Sequence, residues 1–121
     1  MSRILFILSI FLLVSCSASL DIQLGPEVSV FHSTNNELNK QLTPNDNEYL
    51  ALDKWLQEHN TGWHSTSGRY RGGVYLTTEN YGIQITKTHV ILYSIKLAKP
   101  EAIYIQELGK GELNEVRSLG N

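Results

Sequence analysis

The 121-residue chain has one cysteine, one methionine and three prolines. A single cysteine excludes an intramolecular disulfide and leaves any zinc site to histidines and carboxylates. Basic residues are also few. Ten Lys and Arg stand against twelve Asp and Glu, for a formal net charge of −2, and no two basic residues are adjacent. Without a basic patch, nucleic acid is not an expected partner. No apolar run reaches the roughly 20 residues that a bilayer-spanning helix needs. The chain has no H-E-x-x-H and no G-x-S-x-G, and Gly72-Gly73 is followed by no lysine that would make a phosphate loop. These absences predict no enzyme, no metal and no cofactor.

The apolar residues that are present are unevenly spread. Eleven of them fall in residues 1–15, and the chain beyond that point is about 37% apolar with a net charge of −3. Arg3 precedes the unbroken stretch Ile-Leu-Phe-Ile-Leu-Ser-Ile-Phe-Leu-Leu-Val at 4–14. That length suits the core of a signal peptide and falls short of a membrane span. It ends in Leu13-Val14-Ser15-Cys16, which resembles the lipobox of bacterial lipoproteins. The resemblance covers the first 16 residues. It implies removal of 1–15, diacylglycerol on the Cys16 thiol and acylation of the new amino terminus. Several acyl chains hold a protein to a bilayer far more durably than one. By the family's sorting pattern, Ser17 after the cysteine implies the outer membrane of a Gram-negative envelope, facing the periplasm. Ordinary secretory cleavage after Ala18 or Ser19 is the rival reading. It would leave the lone cysteine without a purpose.

The rest of the chain reads as a tether and a small domain. Residues 16–42 are rich in Ser, Asn, Thr and Gln and are expected to be a polar tether, with a short strand near 27–32. The domain is expected over 43–121. Thr43-Pro44 should start a helix running to His59, with Tyr49, Leu52, Trp55 and Leu56 on its apolar stripe. Asn60-Thr61-Gly62 should stop it. Beyond Gly62 the period changes to two. Strands are expected through Tyr70–Thr77, with a bend at Gly72-Gly73, then from Tyr81 to Ile85, from Val90 to Ile95 and from Ala102 to Glu107. A three-residue loop at 87–89 would set Ile85 opposite Ile91 and Ile83 opposite Tyr93. The strand from Val90, apolar on both parities, is expected to be central. For 112–119 the spacing of Leu113, Val116 and Leu119 favours a helix over a hairpin. The fold class is therefore α+β: one helix on an antiparallel meander sheet of three to five strands. A core of about 75 residues is small, and a homodimer or a partner would relieve it.

Functional candidates are sparse. His59 and His64 flank a turn, but two histidines do not complete a metal site. Ser65, Thr66 and Ser67 next to His64 cannot form a nucleophile–base pair by adjacency alone. The segment from Trp55 to Tyr75 gathers two Trp, two Arg, two Tyr and two His, and Trp, Tyr and Arg dominate binding hot spots. If Tyr70, Val74 and Leu76 face the core, then Arg69, Arg71 and Tyr75 project together from the other side, with Trp63 nearby. Trp63, Arg69, Arg71 and Tyr75 are therefore the candidate binding residues. The expected function is that of a membrane-anchored lipoprotein binding a protein partner, as inhibitor, immunity factor or envelope-assembly accessory. The alternative is binding of a small envelope ligand such as a glycan or lipid, and a hydrolase comes last.

Overall fold

A computed structural model describes residues 18–31, 37–95 and 101–120. The signal segment, the lipobox with Cys16, and His32 lie outside the described residues. Seven strands form one antiparallel sheet: β1 (Val28–Phe31), β2 (Leu38–Leu42), β3 (His64–Ser65), β4 (Val74–Thr77), β5 (Tyr81–Ile85), β6 (His89–Ser94) and β7 (Glu101–Glu107). Their spatial order is β2-β1-β4-β5-β6-β7-β3. The helix α1 (Asn47–Glu58) joins β2 to β3, and a short α2 (Asn114–Arg117) and a 3₁₀ turn (Ser118–Gly120) close the described chain. The architecture is α+β and mainly antiparallel, with a sheet larger than the three to five strands expected. The meander β4–β7 was legible. It is extended by the β1–β2 hairpin at one edge and by the two-residue β3 at the other. Because β2 and β3 are the two edge strands, α1 carries the chain across the whole sheet over one face.

The helix starts later than Thr43-Pro44 predicted. The Asp46 carboxylate accepts the Thr43 N–H at 2.8 Å, and the Asp46 N–H donates to the Thr43 carbonyl at 2.9 Å. These two bonds close a turn over Pro44-Asn45 and leave Asp46, a favoured residue type there, as the N-cap. Tyr49, Leu52, Trp55 and Leu56 are buried as the periodicity predicted. His59 ends the helix: its backbone N–H and its ring Nδ1 both bond the Trp55 carbonyl, at 2.9 and 2.8 Å. Gly62 then turns the chain at φ +86°.

The core lies between α1 and one face of the sheet. It holds Val28 and Val30, Val74 and Leu76, Ile83 and Ile85, and Val90 and Leu92 from four adjacent strands, together with the helix stripe. The segment expected as tether belongs to this core. Ile22 is 2% exposed, and Val28, Val30 and Leu42 are fully buried. Residues 18–25 run back along α1, tied at successive points. Ala18 and Trp63 exchange backbone bonds of 2.7 and 3.3 Å, and the Leu20 N–H donates to Asn60 at 2.7 Å. The Gln57 amide donates to the Ile22 carbonyl at 3.2 Å, and the Tyr49 hydroxyl donates to the Gly25 carbonyl at 2.8 Å. Alternating Ile22, Leu24, Val28 and Val30 outweigh the polar composition because only one side of this segment needs to be apolar. The core that invited a dimer at about 75 residues therefore extends from Ile22 to the C-terminal turn.

Two registers differ from expectation. The β5–β6 hairpin closes on two residues, Lys87-Thr88, so Ile85 pairs with Val90, Ile83 with Leu92 and Tyr81 with Ser94. The Thr86 hydroxyl favours the tighter turn, accepting the N–H groups of Thr88 and His89 at 3.2 and 3.0 Å. Between β6 and β7 the pairing slips at Leu92/Tyr93. This bulge leaves Ile103 against the main core while Ile105 packs on the opposite face. The strand β6 is buried on both faces, as its composition predicted, with β5 rather than β6 at the middle of the order.

Trp63 is fully buried, 6.0 Å from Trp55 in an edge-to-face pair. Among the described residues neither indole N–H has a hydrogen-bond partner, so packing and ring contacts hold the two rings in place of hydrogen bonds. Trp63→Ala is expected to cost roughly 3–5 kcal/mol in chemical denaturation, as cavity-forming aromatic truncations do. Arg69→Ala, at an exposed position, should stay within about 0.5 kcal/mol of wild type.

Candidate functional site

The face of the sheet away from α1 carries a smaller apolar cluster of Ile91, Tyr93 and Ala102, flanked by Tyr75 and Ile105. Strand alternation puts Phe31, Tyr75 and Gln84 on this face in one cross-strand row, since Phe31 pairs with Tyr75 and Tyr75 with Gln84. The rings form a chain. Phe31 and Tyr75 lie 6.1 Å apart at 44°, and Tyr75 meets Tyr93 edge-on at 5.8 Å and 76°. Gly82 makes this possible. A Cβ there would stand 2.2 Å from the Tyr75 hydroxyl, so only glycine lets the phenol lie across β5.

A loop of residues 66–73 folds over this floor and is fastened to it. The Thr66 N–H donates to Ile103 and the Ala102 N–H to the Gly68 carbonyl, each at 3.0 Å. The Tyr70 N–H donates to the Tyr93 hydroxyl at 2.9 Å, and that hydroxyl donates to Gln84 Oε1 at 2.6 Å. Gln84 Nε2 in turn donates to the carbonyls of Tyr70 and Gly72, at 3.0 and 2.8 Å. The Tyr70 hydroxyl and Thr66 Oγ1 also bond one another. Gly73, at φ +73°, returns the chain to β4. A Cβ there would meet the Ile85 carbonyl oxygen at 2.0 Å.

Loop and floor enclose an open cavity of about 840 Å³. Arg69 and Arg71 stand at its rim, with Tyr70 between them in sequence. The floor is Tyr75, Tyr93, Gln84 and Phe31, and among the described residues no carboxylate lines it. Among the described residues neither arginine forms an ion pair, and the hydroxyls of Tyr75 and Thr77 have no hydrogen-bond partner. Burial, the largest influence, pushes the Tyr75 and Tyr93 hydroxyls above the usual 10.0, while the Arg69 guanidinium pulls both the other way. Both therefore stay neutral donors through the physiological range.

Of the four candidate residues, Arg69, Arg71 and Tyr75 meet at the cavity. Trp63 does not: it is core, on the other side of the sheet. The arginines belong to the loop and not to a strand, because the strand begins only at Val74, and Tyr70 is 38% exposed where a core position was expected. Tyr93 and Gln84 were missed. Their signal was a buried polar residue on β5 and a β6 with apolar residues on both parities, each of which demands a second covered face. The histidines go elsewhere. His59 stacks on Trp55 at 4.2 Å with its Nε2 3.9 Å from Glu112, and His64 is exposed on β3. Among the described residues no three His, Cys, Asp or Glu gather as metal ligands, and no helix is long and apolar enough to cross a membrane.

Comparison with protein-family models, curated proteins and solved structures gives no match, so the functional reading rests on the geometry of the site.

Gln84→Leu removes the two side-chain hydrogen bonds to the loop carbonyls of Tyr70 and Gly72 and takes away the acceptor of the Tyr93 hydroxyl. It should cost about 1–3 kcal/mol and speed exchange of the Tyr70 amide about tenfold in hydrogen–deuterium measurements. The raised tyrosines give a second expectation. Their contribution to stability is complete below about pH 10 and is lost as the pH rises through their folded-state values. Denaturation at pH 8 and pH 11 should therefore show a smaller alkaline loss in the Tyr75→Phe, Tyr93→Phe double variant than in wild type.

Proposed function

We propose that the protein is a bacterial envelope lipoprotein, anchored by a lipid on Cys16 in the outer membrane facing the periplasm, which acts by binding and not by catalysis. The observation that supports binding most directly is the fastened loop. It presents Tyr70 and two arginines, with no ion pair to either among the described residues, over a floor that carries Tyr75 from β4 and Tyr93 from β6. Its groups are of the kinds that dominate recognition surfaces, and buried hydrogen bonds set the geometry before anything binds. A protein partner is one occupant such a surface suits, in an inhibitory, immunity or assembly role. A small envelope ligand is the second reading. It is favoured by the cavity itself, whose 840 Å³ falls within the roughly 300–1,000 Å³ of small-molecule sites.

Anchoring and binding separate experimentally. Palmitate labelling should mark the wild-type chain and be absent from Cys16→Ala. Co-isolation from solubilised envelopes should recover a molecule that Arg69→Ala and Arg71→Ala each lose while Cys16→Ala retains it. A lipidated protein that recovers the same material with or without the arginines would refute the assignment of the cavity.

A further inference from the structure

We propose that the cavity is a site for an anionic sugar, in which the arginines hold the oxyanion, carboxylate or phosphate, and the tyrosine face takes the ring. This rests on the binding reading above and chooses between its two occupants. Three observations carry it. The first is charge. The protein is acidic overall, yet the cavity has two arginines and, among the described residues, no carboxylate in its lining and no ion pair to neutralise either guanidinium. An arginine left without an internal partner retains its fork of N–H donors for a planar oxyanion.

The second is the set of unused hydroxyls. Tyr75 and Thr77 each present a hydroxyl to the cavity with no partner among the described residues. The Tyr93, Gln84 and Thr78 side chains on the same lining are engaged within the fold, whereas the half-buried Tyr75 and Thr77 keep their hydroxyls open to a ligand. Free hydroxyls that can both donate and accept match the hydroxyls of a sugar. A purely apolar lipid tail would leave them unsatisfied. The third is the ring geometry. Gly82 lets the Tyr75 ring lie across the neighbouring strand, and Phe31 and Tyr70 border the same space. These apolar surfaces are flat and rigid, which suits the C–H face of a pyranose. An acidic protein segment is the other occupant that the arginines suit, and the peptide probe below separates the two.

The test uses the full lipidated chain in detergent micelles, isotopically labelled, titrated by NMR with four probes: a digalacturonate, its neutral digalactose counterpart, inorganic phosphate, and a Glu-Tyr-Glu peptide. Digalacturonate should shift the signals of Arg69, Gly72 and Tyr75, with an affinity that falls as salt is raised. Arg69→Ala and Arg71→Ala should each weaken it about tenfold, and Tyr75→Phe should weaken it with the fold unchanged. Digalactose should bind much more weakly at the same residues. Equal binding of the two disaccharides would overturn the anionic part of the proposal, and phosphate binding as tightly as digalacturonate would overturn the sugar part. Tighter binding of the peptide would overturn the sugar class and leave a protein-binding lipoprotein standing. No shift with any probe would overturn the inference while the envelope co-isolation still decides the broader reading.

Discussion

A glutamine that is 6% exposed in the middle of a β-sheet must satisfy its side-chain carbonyl and NH₂ group with little help from water. Gln84 meets that demand by reaching out of the sheet to the loop above it, and much of the second face follows from this. Its Nε2 fixes two carbonyls of the loop, and its Oε1 takes the Tyr93 hydroxyl, which itself receives the Tyr70 amide. The network closes on itself without using either arginine. The backbone on both sides of Arg71 is held by Gln84, so the guanidiniums project from an immobilised stretch while keeping all their own donors.

The two faces of the sheet solve the same problem unequally. On one, α1 and the segment running back along it supply enough apolar surface to fill the space, and 18 buried residues form one continuous cluster. On the other, the described residues supply a loop, and a loop brings backbone polar groups that need partners. Tyrosines and a glutamine provide these, and since they are large and directional they leave a gap. The cavity is therefore the result of covering a face with hydrogen-bonded loop in place of packed helix.

The two elements with a single strong period were legible in the sequence. The helix stripe Tyr49-Leu52-Trp55-Leu56 and the strands of the meander from Val74 to Glu107 were legible because each has a regular apolar pattern and a clear stop. What failed was composition used in place of period. The Ser- and Asn-rich stretch before Thr43 looked like a tether, yet Ile22, Val28, Val30 and Leu42 are its four anchors, and four anchors are enough for a segment buried on one side. The hairpin register missed by one residue because a threonine hydroxyl, invisible to any apolar pattern, chose the tighter turn. Arg69, Arg71 and Tyr75 do line one cavity, with the arginines on a loop where a strand was expected and Tyr75 on β4. Trp63 could not be assigned from sequence, since an aromatic residue after a turn fits a core and a surface equally well.

The backbone pairing of Ala18 with Trp63 has a mechanical consequence. Were Cys16 to hold the acyl chains, Ser17 would be the only residue between the lipid and the first fixed point of the fold, a reach of at most about 7 Å. The domain would then have no leash. It would stand against the bilayer on the C-terminal end of α1 and the β3 side of the sheet. The β2 edge would lie six strand spacings away, on the order of 29 Å. A cavity whose floor is built on β1, β4, β5 and β6 would then be held within one domain's width of the headgroups.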